Sequence, residues 1–103
     1  MSGGPWLRLD AGFPEHPKVI GLTDAAFRLH VSALCYARRN LTDGDIPSGW
    51  PPQRLGRAIP ALVGANLWVP DPSGAGWVIH GYLDWQTSRA DVEALSSTRS
   101  KAG

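Results

Sequence analysis

Three histidines (His16, His30 and His80), one cysteine (Cys35) and nine carboxylates are the first side chains of this 103-residue chain to weigh for acid-base, nucleophilic or metal chemistry. Zinc held on a helix needs a spacing such as two ligands four residues apart, and these histidines and the cysteine do not have it. His30 reads as a partly buried helix residue and His80 as a hydrogen-bonder at a strand end. Asp43 and Asp45 form a close carboxylate pair, but a turn tip offers no desolvated pocket to drive their pKa values apart for general acid and base work. "SGAG" (Ser73 to Gly76) lacks the lysine and the following helix of a phosphate-binding loop. The expectation is a protein without catalytic residues, cofactor, metal or small-molecule substrate.

The other chemistry within reach is recognition of nucleic acid. Phosphate contact needs exposed Arg or Lys, and base reading needs Arg, Lys, Asn or Gln on a face that enters the major groove. The candidates are Gln53, Arg54 and Arg57, then Asn66, then Ser73 and Gly74 at a glycine-rich tip, with Arg89, Arg99 and Lys101 adding diffuse attraction. Against them stands a formal net charge of +1 and no segment with a strong basic patch. Trp50, Trp68 and Trp77 are the candidates for contact with a protein partner instead, although tryptophan in so small a domain is first of all a way to bury area.

The elements that must position these residues follow from pattern. "WLRLD" (Trp6 to Asp10) alternates and reads as a short strand, and two prolines in "GFPEHPKVIGL" lead into a brief helix from about Pro17. Thr23 is a good N-cap for a helix over "DAAFRLHVSALCYARRN", with Phe27, Val31, Leu34 and Cys35 on one face and Ala26, His30, Ala33 and Ala37 beside them. Cys35 reads there as a small buried hydrophobe. Arg38 and Arg39 suit the last turn, and Asn40 suits a left-handed cap.

Asp43-Gly44 marks a turn before a very short strand at Asp45 to Pro47. "WPPQRLGRAI" starts a short helix with Leu55 and Ile59 inward and Gln53, Arg54 and Arg57 outward. Pro60 opens a second one, running through Asn66. Strands at Leu67 to Val69 and Trp77 to His80 flank "PDPSGAG", and Thr87 or Ser88 caps a last helix through "RADVEAL". The expected fold class is α+β, a winged helix-turn-helix: a small antiparallel sheet packed on a three-helix core with a C-terminal helix. One domain spans 6–95, after a disordered start at 1–5 and before a frayed tail at 96–103. No secretory signal or membrane span is visible, so a cytoplasmic location in a bacterial host is expected.

Through "WLRLDAGFPEHPKVIGL", "LTDGDIP", "LVGANLW" and "IHGYLDWQTSRADVEAL", the chain resembles a small winged-helix family carried by phages and prophages of high-GC Gram-positive bacteria. More distantly it is similar to the amino-terminal domain of DnaD-like phage replisome organisers. The resemblance implies a non-enzymatic DNA-binding protein acting in replication initiation or transcription regulation. Two departures stand out: the stretch between Leu55 and Leu62 is short for the family, and a basic extension that many relatives carry after the "SRADVEA" helix is expected to be missing. Two readings result. In one, the protein binds double-stranded DNA weakly or with assistance, strengthened by homodimerisation; in the other, it is an interaction module on the same scaffold that binds a host or phage protein.

Overall fold

The longest element forms where seventeen residues pass without glycine or proline. The computed structural model describes residues 6–86 and 89–94, and helix α1 runs over Asp24–Asn40. The Thr23 hydroxyl accepts the Ala26 N–H at 3.2 Å, and Asp24 and the pair Arg38 and Arg39 complement the two ends of the helix dipole. The stripe it buries is Ala26, Leu29, His30, Ala33, Leu34 and Ala37, an i, i+3, i+4, i+7 pattern. Cys35 lies about 100° round from Leu34 and is exposed, contrary to the sequence expectation. Leu41, not Asn40, takes the left-handed cap, with φ 54°. Asn40 instead closes the last turn by donating its side-chain amide to Tyr36 O at 3.0 Å.

Strand β1 (Asp45–Pro47) follows, then a 3-10 helix over Gln53–Ala58 that passes directly into α2 (Ile59–Gly64). Two short helices are present, yet no turn separates them. Pro60 sits in the first turn of α2, where a missing N–H costs nothing, so it begins the second piece without breaking the chain. Leu55, Ala58 and Leu62 from this pair pack on the α1 stripe. Strands β2 (Trp68–Pro70) and β3 (Gly76–Ile79) complete an antiparallel sheet of order β1-β3-β2. The register pairs Ile46 with Trp77 and Trp68 with Ile79, which turns Ile46, Trp68 and Ile79 into the core. The result is a small α+β domain.

Helix α3 (Tyr82–Trp85) follows Gly81, and residues 89–94 are helical. The expected strand at Trp6 to Asp10 makes no ladder. Its backbone is held by a side chain instead: the Gln86 amide accepts the Arg8 N–H at 3.0 Å and donates to Arg8 O at 2.5 Å, so one glutamine stands in for a neighbouring strand. The brief helix expected from Pro17 is displaced to a 3-10 turn at Phe13–Glu15. The expected disordered start and frayed tail, at 1–5 and 96–103, lie outside the described residues, as do the capping candidates Thr87 and Ser88.

Candidate nucleic-acid interface

Gln53, Arg54 and Arg57 are exposed on the 3-10 helix, as the outward positions of the pattern predict. A 3-10 helix has three residues per turn, so side chains at i and i+3 eclipse. Arg54 and Arg57 therefore stand one above the other on a single face, about 6 Å apart along the axis. Neither has an ion-pair partner among the described residues. The two guanidiniums form a short cationic ladder.

The other expected contacts are placed less favourably. Asn66 is exposed but lies beyond α2, in a left-handed turn at φ 60°, so the side chain expected to read bases from that helix is not on it. The exposed positions of α2 are Pro60, Ala61 and Gly64, which carry no hydrogen-bonding side chain. At the tip between β2 and β3, the Asp71 carboxylate accepts both the N–H and the hydroxyl of Ser73, each at 3.0 Å. Ser73 Oγ in turn accepts the Ala75 N–H at 3.3 Å. The tip is thus a self-contained turn, with Gly74 supplying the positive φ of 79°. Gly76 has φ 149°, and a Cβ there would collide with Ile46 O and lie 2.9 Å from Ser48 N.

Arg89 is engaged with Glu93 at 2.8 Å, and that hydrogen bond and charge raise its pKa above the ordinary value. Its backbone N–H donates to Asp43 Oδ1 at 2.7 Å. Asp43, at φ 56°, thereby holds the first described N–H of the helical residues 89–94 from across the fold. Arg99 and Lys101 lie outside the described residues. Of the tryptophans, Trp68 is 1% exposed and belongs to the core, which removes it from any surface for a partner. Trp77 is half-buried with its ring 5.8 Å from Trp68, and Trp50 is half-buried 4.8 Å from Tyr36.

A buried side-chain hydrogen bond between residues 38 positions apart was not visible in the sequence. Trp68 Nε1–H donates to His30 Nδ1 at 3.1 Å inside the core. Burial lowers the His30 pKa from 6.5 to about 4, which keeps the ring neutral. Burial also raises the Tyr82 hydroxyl, with Arg38 opposing and Asp43 adding to the shift. Among the described residues no three His, Cys, Asp or Glu side chains converge as a metal site would require. No helix among them is long and apolar enough to cross a membrane. No family model, curated protein or solved structure matches the chain.

Proposed function

We propose that this chain is a non-enzymatic winged-helix module of phage type that holds duplex DNA weakly, through phosphates, in replication initiation or transcription control. The order helix, strand, helical pair, strand, loop, strand, with β3 central in the sheet, supports the winged-helix assignment. The observation that carries the DNA reading is the Arg54 and Arg57 ladder, two unpaired cations in line on one exposed face. Gln53 flanks it. With no base-reading side chain on α2, sequence preference is weak, and a second copy of the chain raises affinity by doubling the footprint.

Fluorescence anisotropy with a mixed-sequence duplex tests this. Two phosphate contacts give a slope of about −1.8 in log K against log salt, and each of Arg54→Ala and Arg57→Ala makes it shallower by about 1. Arg89→Ala changes it less than either of these, because Glu93 at 2.8 Å offsets that charge. Absence of binding near 50 µM protein in about 20 mM salt removes the proposal. The second reading, a module for a protein partner, is favoured by Trp6, Ile20 and Leu83, which are 80%, 65% and 53% exposed. Its signature is a partner retained from host or phage lysate after nuclease treatment and unaffected by Arg54→Ala.

A further inference from the structure

The segment before α1 does not lie flat on the domain. Between it and the body runs an open groove of about 870 Å³, walled by Leu7 and Phe13 on one side and by Leu34, Leu67, Ile79 and Tyr82 on the other. That volume is within the range of about 300–1,000 Å³ in which proteins hold small molecules. The Gln86 amide and the bond from Arg38 Nε to Trp6 O at 3.0 Å fasten the outer wall.

His30 lines the same groove, with its ring nearly parallel to Phe13 at 16° and 5.8 Å. Indole N–H can only donate, so His30 Nδ1 is the acceptor for Trp68 and the neutral ring carries its proton on Nε2. Nε2 has no partner among the described residues. No sealed-off side-chain nitrogen or oxygen among them lacks one either. Nε2–H is therefore reached from the groove, a fixed and uncharged donor on a residue that is 3% exposed.

We propose that this groove binds a small, mostly apolar, uncharged molecule carrying one hydrogen-bond acceptor, which takes the His30 Nε2–H. Its rim supports the uncharged choice, since Arg8 and Lys18 are balanced by Asp10 and Asp84 and no net field selects an ion. The site is independent of the DNA reading: it uses neither Arg54 nor Arg57.

The test titrates the full chain with acetophenone, which has one carbonyl, and with ethylbenzene, which has nearly the same outline without it. Both compounds are expected to shift the methyl resonances of Leu34 and Ile79, and the ketone alone to move the His30 Nε2 resonance. His30→Leu should cost acetophenone about tenfold in affinity relative to ethylbenzene, the worth of one net hydrogen bond. If His30→Leu does not fold, the wild-type imidazole resonance decides by itself. Unmoved Leu34 and Ile79 methyls, or the same Nε2 response to both compounds, overturns the proposal. Arg54→Ala with Arg57→Ala should bind the ketone unchanged, so loss of DNA binding and loss of this site are read separately.

Discussion

Acid should weaken the core through His30. The ring is buried and its Nδ1 is occupied by the Trp68 N–H, so a second proton would be placed on the one nitrogen that already faces a donor. The unfolded chain has no such conflict and titrates near the ordinary 6.5, whereas the folded ring holds out to about 4. Between those values the unfolded state binds one more proton than the folded state. The contribution of neutral His30 is therefore complete above pH 6.5, falls as pH drops through the window, and levels off once the folded ring is itself charged. At about 1.4 kcal/mol per pH unit, the loss across the window is about 3 kcal/mol. That is a large share of the roughly 5–15 kcal/mol that holds a domain together. Urea unfolding followed by tryptophan fluorescence, from about pH 7.5 to about pH 4, measures it. The comparison is His30→Gln, whose amide oxygen can accept the indole N–H without titrating. Carboxylates titrate alike in both proteins, so the stability difference should change by about 3 kcal/mol across the series. Parallel profiles would refute the reasoning.

Gly76→Ala should lower stability by at least about 3 kcal/mol, because the new Cβ meets the Ile46 carbonyl at a φ that side chains rarely adopt. Thermal unfolding reads that loss, and an unchanged Tm would contradict the close approach of β1 and β3. Gln86→Ala removes both bonds to Arg8. It should cost about 1–3 kcal/mol and speed hydrogen exchange at the Arg8 amide selectively; uniform exchange changes would argue against a local clasp. Asp43→Ala leaves the Arg89 N–H uncapped. A loss of about 1 kcal/mol with reduced helical circular dichroism is expected, while Asp43→Asn, which keeps an acceptor, should restore most of it.

Periodicity and turn signals made α1, the three paired strands and the outward triad Gln53, Arg54 and Arg57 legible, because each depends on local spacing. What stayed hidden depends on residues far apart in the chain. Gln86 reaches back to Arg8 across 78 positions and Asp43 forward to Arg89 across 46. A glutamine after an apolar run and an aspartate before a glycine look like ordinary turn residues, so no local pattern marks them. Leu29 is buried and Cys35 exposed, the reverse of what spacing alone suggests, for a related reason. The helix fixes which residues share a stripe, but only the packing of Leu55, Ala58, Leu62 and Trp68 decides which stripe faces inward. The unpaired segment at Trp6 to Asp10 has the same origin: alternation says that one face could be buried, not that a strand is free to pair with it.

Some of the polar and cationic side chains are engaged in bonds within the fold. Ser73 is engaged with Asp71, Arg89 with Glu93, and Arg38 with Trp6 O. Two of these bonds tie down a loop and a terminus, while the Arg89 and Glu93 pair lies at the surface with both side chains mostly exposed. The Arg54 and Arg57 pair escapes because a 3-10 helix brings both onto one side, away from the Leu55 that anchors it. A single copy with so small a footprint binds weakly at any salt and loses about 12-fold for each fourfold increase at two contacts. On the proposed DNA reading, a lasting grip comes from a second copy or an assisting protein, for which Trp6, Ile20 and Leu83 are exposed apolar residues. The DNA and protein readings are in that sense coupled: the weaker the cationic ladder proves by titration, the more of the function must rest on the apolar surface.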